Sequence, residues 1–104
     1  MLIVDRIIEE VEPIIGRHAR ELDVSWHVNI ELVASPDGPV PGATFVFCCP
    51  SPIIGQALWT VHVVRAEIAF DSKALEHVVR DGCESLRSRR AGLLAAASPL
   101  EVPR

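Results

Sequence analysis

The stretch VSWHVNIELVA, residues 24 to 34, alternates apolar and polar side chains with a period of two. Consecutive residues of a β-strand point to opposite faces of a sheet, so this pattern predicts a strand with one apolar and one polar face. The rest of the chain has to supply neighbouring strands and a layer that covers the apolar face.

Two further strands are predicted after this one. The segment SPDGPVPG, residues 35 to 42, is rich in proline and glycine and predicts a loop too long for a two-residue hairpin. Ala43 to Cys49 predicts the second strand, PSPIIG (50 to 55) predicts a turn, and residues 56 to 70 predict a third strand.

Helices are predicted on both sides of the strands. In residues 2 to 22, apolar side chains recur every three or four positions and form one stripe opposite an acidic side. Pro13 interrupts this pattern and removes one backbone hydrogen bond. Either a single helix is kinked there, which we favour, or a short helix ends near Glu12 and a second begins at Pro13. A second helix is expected to be capped by Asp71 or Ser72 and to run to about Arg90 or beyond.

This order predicts an α+β fold, α-β-β-β-α, in which a three-stranded antiparallel meander has two helices packed on one face. A chain of 104 residues matches one domain. We expect residues 1–95 to form that domain and residues 96–104 to form a C-terminal tail.

The predicted third strand is unusually long. Residues 57 to 70 would span about 46 Å at about 3.3 Å per residue, whereas a compact domain of this size is only about 35 Å across. We therefore expect the strand to bend at a bulge or to project past its own core.

Apolar side chains on both faces of that strand predict an interface. Trp59, Val61 and Val63 share one face, on which Arg65 and Glu67 follow. Two helices cover only one face of a small sheet, so we predict that this second face binds another copy of the chain or another protein. The alternative is a bulge that rotates the strand and keeps one face buried throughout.

The adjacent Cys48 and Cys49 raise the question of thiol chemistry. Redox pairs are usually Cys-x-x-Cys at a helix N-terminus, and a zinc site needs four ligands that no other Cys or His pair completes at suitable spacing. Adjacent strand residues point to opposite faces, and Cys83 falls on the apolar stripe of the second helix. We predict that all three cysteines pack as small apolar side chains.

The histidines do not cluster in the sequence. His77 and Asp81 lie one helical turn apart on a charged face, which favours surface ion pairing over a metal or acid–base pair. His62 is expected to face His27 or Asn29 across neighbouring strands. We predict no catalytic residue, no metal ligand, no cofactor and no small-molecule substrate.

The formal net charge of −4 argues against a nucleic-acid partner or an anionic membrane partner, both of which need a basic surface. No apolar run approaches the roughly 20 residues that span a bilayer, and no secretion signal is recognisable. Three cysteines do not form a disulfide framework. We expect a cytoplasmic protein.

The order α-β-β-β-α resembles that of the double-stranded-RNA-binding domain, which contacts RNA with its first helix and with the start of its second. Here the first helix carries Glu9, Glu10 and Glu12, and the second opens as DSKALEHVVR (71 to 80) with Lys73 as its one lysine. Because phosphate contacts dominate such binding, we predict that this chain does not bind RNA.

One basic cluster is present in the chain, formed by Arg87, Arg89 and Arg90. It is expected at the solvated C-terminal end of the second helix, where it complements the helix dipole or docks an acidic partner.

The layout as a whole resembles small uncharacterised proteins of actinobacterial phages. The shared features are the acidic first helix, the loop rich in proline and glycine, and the closing helix ALEHVVRDGCESLRSRRAG (74 to 92). The resemblance implies a virion-assembly or accessory role, such as head completion, head–tail joining or capsid decoration, or binding to a host protein. It places the protein in the host cytoplasm or in the virion.

Overall fold

The computed structural model describes residues 3–69 and 71–97. In chain order, its elements are α1 (Ile3–His18), β1 (Ser25–Val33), β2 (Val40–Pro50), β3 (Ala57–Arg65), α2 (Ala66–Ala69) and α3 (Ser72–Ala97). The strands form one antiparallel sheet in the order β1-β2-β3. The predicted α+β meander is confirmed.

The core lies between one face of this sheet and the helices α1 and α3. Phe45 and Phe47 of β2 are fully buried there, with their rings stacked at a centroid distance of 6.3 Å. The apolar stripes of both helices contribute to the same core, through Ile7, Val11, Ile14 and Ile15 of α1 and Leu75, Val79, Cys83 and Leu86 of α3. Both long helices therefore pack on one face of the sheet, as predicted.

The first helix is continuous through Pro13, whose exposed position leaves the buried stripe intact. It ends at His18 rather than at residue 22. Arg20 has a φ of 29°, in the left-handed region, and a helix cannot continue through that conformation.

The third strand is shorter than predicted. It ends at Arg65, and residues 66 to 69 form the single helical turn α2, so the prediction of a strand to residue 70 is wrong. Alanine and glutamate are good helix formers. Arg65 pairs with Gly42, so in a longer β3 the next residue would lie opposite Pro41 of β2, and proline has no backbone N–H to donate to the ladder. The register with β2 runs without interruption from Arg65 to Ala57, so neither a bulge nor a projecting end is needed.

The β1–β2 loop is also shorter than predicted, because β2 begins at Val40 and residues 40 to 42 belong to the strand. Gly38, with a φ of 106°, lies in the turn. At Gly42 an added Cβ would lie 2.5 Å from the Val33 side chain, so Val33 fills the space that this glycine leaves and is buried.

The long helix α3 begins at a capping aspartate. The Asp71 carboxylate accepts hydrogen bonds from the backbone N–H groups of Lys73 (2.9 Å) and Ala74 (3.4 Å), so Asp71 is the predicted cap. The helix runs to Ala97, two residues into the predicted tail, and residues 98–104 lie outside the described part of the chain. No helix in the described ranges combines the length and apolarity needed to cross a membrane.

Candidate interaction surface on the open face of the sheet

The face of the sheet that points away from the helices, here called the open face, carries apolar side chains along β3. Trp59, Val61 and Val63 are 53%, 57% and 57% exposed. They alternate with residues that point towards the helices, of which Leu58 is buried. We call these three residues together with Val46 of β2 the apolar band.

The strand register shows how polarity changes across this face. Three rows of side chains cross it from β3 through β2 to β1: Trp59–Cys48–Ser25, Val61–Val46–His27 and Val63–Thr44–Asn29. Each row begins with an apolar side chain on β3 and ends with a polar one on β1. The apolar band therefore occupies the β3 half of the open face.

A charged pair closes one end of the band. Arg65 is the last residue of β3, and its guanidinium lies 3.8 Å from the Glu67 carboxylate. Glu67 was predicted to lie on the third strand, but it belongs to the helical turn α2, because the strand has already ended. At the other end, the β2–β3 turn leaves Ile54 98% exposed.

The backbone of the band is held in place from the helix side. Arg89 of α3 donates a hydrogen bond to the backbone carbonyl of Trp59, while the Trp59 side chain remains half exposed. The backbone of β3 is thus held at Trp59 by α3, whereas the apolar side chains of the band are left to solvent. On the open face itself, the Thr44 hydroxyl of β2 donates a hydrogen bond of 2.7 Å to the Glu31 carboxylate of β1.

Two of the three arginines in the predicted basic cluster already have partners within the fold. Arg87 donates hydrogen bonds to the Glu21 carboxylate (2.5 Å) and to the backbone carbonyl of His18 (2.6 Å), and the first of these lowers the pKa of Glu21. Arg89 contacts Trp59, and Arg90 lines a cavity of about 150 Å³ with Glu21. For these arginines to dock an acidic partner, Arg87 and Arg89 would have to exchange the partners they have.

The predicted placement of that cluster at the end of the helix is wrong. The helix α3 continues past Arg90 to Ala97, because the alanine- and leucine-rich residues that follow are strong helix formers. The last turn contains no basic residue, so the arginines do not complement the helix dipole at its C-terminus.

The two adjacent cysteines point to opposite faces, as predicted. Cys48 lies on the open face in the row of Trp59 and is half-buried, whereas Cys49 is buried in the core. Burial raises the pKa of the Cys49 thiol, and it raises that of the buried Cys83 as well. Since the thiolate is the reactive form, Cys49 and Cys83 are held in their unreactive state.

The expected cross-strand histidine pair does not form. His62 lies on the helix side of the sheet, where its ring meets Phe47 edge-on at 5.7 Å and its Nε2 lies 3.1 Å from the Thr60 hydroxyl. His27 lies on the open face of β1. The two strands are not neighbours, because β2 separates β1 from β3.

His77 and Asp81, which lie one turn apart on α3, both contact Arg80. Arg80 donates a hydrogen bond of 2.5 Å to Nδ1 of His77, and its guanidinium lies 3.8 Å from the Asp81 carboxylate. This is the surface ion pairing that the spacing predicted. Within the described residues, no three or more His, Cys, Asp or Glu side chains are grouped as a metal site requires.

Comparison with protein-family models, with curated proteins and with solved structures found no match to this chain.

Proposed function

We propose that this chain is a non-enzymatic interaction protein that docks through the open face of its sheet, onto a second copy of itself or onto another protein. The observation that carries the proposal is the apolar band. Three large apolar side chains in consecutive outward positions of β3 remain more than half exposed on a face that neither long helix covers. Monomeric proteins rarely expose contiguous apolar patches larger than a few hundred Å², and patches above that size mark interaction sites.

The free energy of binding expected from covering the apolar band is moderate. Full burial of an apolar side chain contributes about 1.5 to 3 kcal/mol, so covering the exposed half contributes about 1 kcal/mol for each valine and more for tryptophan. A patch of this kind supports a reversible contact by itself. The contact becomes more stable when polar residues around the patch form hydrogen bonds with the partner. Arg65, Glu67 and the polar side chains of β1 surround the band and supply such a rim.

Phage particle assembly is the setting that we propose for this contact. This proposal rests on the resemblance in layout to small actinobacteriophage proteins. Small accessory proteins of phage particles act by binding other proteins through their surfaces. Capsid or tail genes next to the gene for this chain are the expected finding. A neighbourhood of unrelated metabolic genes would argue against this setting, although not against the docking surface.

Binding to duplex RNA is a second candidate, favoured by one observation. The element order and the packing of both long helices on one face of the sheet are shared with the double-stranded-RNA-binding domain. Charge opposes it, because Asp5, Glu9 and Glu12 are exposed on α1, and the start of α3 places Asp71 and Glu76 beside Lys73.

Replacing Trp59 by aspartate tests the docking surface. We expect wild-type protein to associate reversibly in light scattering and sedimentation at high micromolar concentration. Trp59→Asp and Val61→Asp are expected to shift it to a smaller species, because each places a charge within the band. The hydrogen bond from Arg89 is made to the backbone of Trp59, so the substitution leaves it in place.

Ala91→Asp is the matched control, since it adds the same charge at an exposed position of α3, away from the sheet. Circular dichroism and thermal unfolding check that each variant is folded. A wild type that is monomeric at high micromolar concentration would exclude self-association. A folded Trp59→Asp protein that associates as tightly as wild type would exclude the band as the contact.

A further inference from the structure

The outer edge of β1 is a second unpartnered feature, distinct from the apolar band. Among the described residues β1 pairs with β2 alone, and its register runs without a bulge over all nine residues, Ser25 to Val33. Edge strands are usually protected by proline, lysine, a bulge or short length. The sequence SWHVNIELV has no proline, no glycine and no lysine. This edge therefore lacks these protections against pairing with another strand.

The opposite edge of the sheet is guarded. There the helix α3 lies against β3, and Arg89 donates a hydrogen bond to the carbonyl of Trp59. An approaching strand would have to displace that side chain at Trp59. We therefore call the β3 edge guarded and the β1 edge open, and we take β1 as the edge that adds a strand.

Apolar side chains beside the open edge are incompletely covered on the helix side. Ile30 and Leu32 of β1 are 45% and 69% exposed, and Ile8 of α1 is 37% exposed. A surface cavity of about 200 Å³ lies between α1 and β1 and is lined by the apolar Ile8, Trp26 and Val28 and by the polar Glu12 and His27. A further strand at this edge would extend the sheet beneath α1 and cover these side chains.

We propose that β1 pairs antiparallel with β1 of a second copy, around a two-fold axis at Asn29. This register is the one that pairs all nine residues of the strand, since Ser25 then faces Val33 of the second copy. On the helix side it sets Trp26 against Leu32 and Val28 against Ile30, so each exposed apolar residue gains an apolar partner. On the open face it sets His27 against Glu31.

The contact between His27 and Glu31 matches a donor with an acceptor. Only one oxygen of Glu31 accepts the hydrogen bond from Thr44, so the carboxylate retains capacity for the imidazole of the second copy. Because the axis is two-fold, this contact and each apolar contact occur twice. A self-complementary edge of this kind is what an isologous dimer requires.

The dimer has a continuous six-stranded sheet with strand order β3-β2-β1-β1-β2-β3. Both open faces then lie on the same side of the sheet, polar at the centre and apolar at the two outer strands. The proposed docking surface therefore stays exposed, and the dimer presents two apolar bands to a partner. Edge pairing and docking through the bands use different residues and are separately testable.

Cysteine cross-linking tests the register. In a Cys48→Ser background, Asn29→Cys places two thiols opposite each other at the axis, and we expect a disulfide-linked dimer on mild oxidation. The measurement uses non-reducing gels at about 0.15 M salt, where charge repulsion between two acidic chains is screened beyond about 8 Å. His27→Cys and Glu31→Cys are expected to link when the two variants are mixed, and not when each is alone.

Val63→Cys in the same background is the matched control, because it lies in the same row as Asn29 at the guarded edge. In the edge dimer the two β3 strands are five strand spacings, about 24 Å, apart, so Val63→Cys does not link through the edge. A link at Val63 without one at Asn29 would show face-to-face association and overturn the edge dimer. Links at both positions would support both contacts.

Leu32→Asp gives an independent readout without cysteine. It places a charge against Trp26 of the second copy at two symmetric positions, so we expect dimer affinity to fall roughly tenfold or more. Ile54→Asp, at an exposed turn residue outside the strand, is expected to leave it unchanged. A folded Leu32→Asp protein with wild-type affinity, or an Asn29→Cys protein that forms no link, would overturn the proposal.

Discussion

At the scale of single residues, the packing of the sheet against α3 depends on one glycine. Gly82 lies on the buried side of α3, and an added Cβ would approach the Phe47 ring to within 2.6 Å. Phe47 is itself fully buried, so its ring has no free space into which to move. The contact brings the helix backbone directly onto the central strand.

Gly82→Ala is therefore expected to destabilise the protein, although alanine is the better helix former by about 1 kcal/mol. Overpacking a core costs about 1 to 3 kcal/mol, and here this cost opposes and exceeds the gain in propensity. Urea unfolding measures the difference in the free energy of unfolding.

The same helix offers a matched control, because a Cβ at Gly92 would meet nothing within 4 Å. Gly92→Ala is expected to be neutral or to stabilise by up to about 1 kcal/mol. We expect the change in the free energy of unfolding to have opposite signs in Gly82→Ala and Gly92→Ala. Equal gains at both positions would show that the Phe47 ring yields without cost.

At the scale of elements, the face assignments follow from local periodicity, whereas the ends of elements do not. The alternation in 24 to 34 predicts which residues of β1 face the core, and the alternation at Trp59, Val61 and Val63 correctly predicts a shared face. The end of β3 depends on Pro41 of the neighbouring strand. The pattern within residues 57 to 70 carries no information about that residue. The wrongly predicted end of β3 is therefore a matter of long-range pairing, which periodicity within the segment does not report.

The two long helices are tied together by a carboxylate that their separate sequences do not reveal. Glu76 of α3 accepts contacts from His18 (2.6 Å) and Arg17 (2.7 Å) at the end of α1. The hydrogen bond from His18 lowers the pKa of Glu76 most, followed by that from Arg17. A carboxylate whose pKa is lower in the folded state stabilises the fold above its ordinary value of 4.5.

Glu76→Gln is expected to lower the melting temperature at neutral pH, because it removes the charge that both partners contact. As the pH falls through the folded pKa, wild-type Glu76 becomes protonated and this contribution is lost. The two melting curves should therefore approach each other as the pH falls below the ordinary value of 4.5, and meet once it has passed the lowered pKa of folded Glu76.

Asp37→Asn, in the exposed β1–β2 loop, is the control for loss of one negative charge. It is expected to change the melting temperature much less than Glu76→Gln at neutral pH. A difference between Glu76→Gln and wild type that stays constant into acid would show that the helices are not joined through the ionised carboxylate.

At the scale of the whole molecule, the sheet is asymmetric in two directions. One face is covered by helices and the other is open, and one edge is guarded by Arg89 while the other is not. The sequence predicts the open face, since a short chain with two helices cannot cover both sides of a sheet. It does not predict the edges, because which strand lies at an edge and what shields it are properties of the assembled sheet.

The distribution of charge over the molecule favours docking to a protein over binding to RNA. An RNA-binding domain of this topology would use α1 and the start of α3. Here α1 exposes Asp5, Glu9 and Glu12, and the start of α3 exposes Lys73 next to Asp71. Non-specific affinity for nucleic acid comes almost entirely from neutralised phosphates. We therefore expect no retardation of a duplex RNA longer than the roughly 16 base pairs that such a domain spans, even at low salt.

The measurement is a gel-shift titration at low ionic strength, with an authentic double-stranded-RNA-binding domain as the positive control. Lys73→Ala tests whether any weak shift comes from a contact between Lys73 and the RNA, because it removes the one lysine at the position that such domains use. A shift that weakens steeply with salt and is lost in Lys73→Ala would mean that the shared topology reflects shared function. An unshifted duplex, together with a shift of Trp59→Asp to a smaller species, would assign the function to the open face of the sheet.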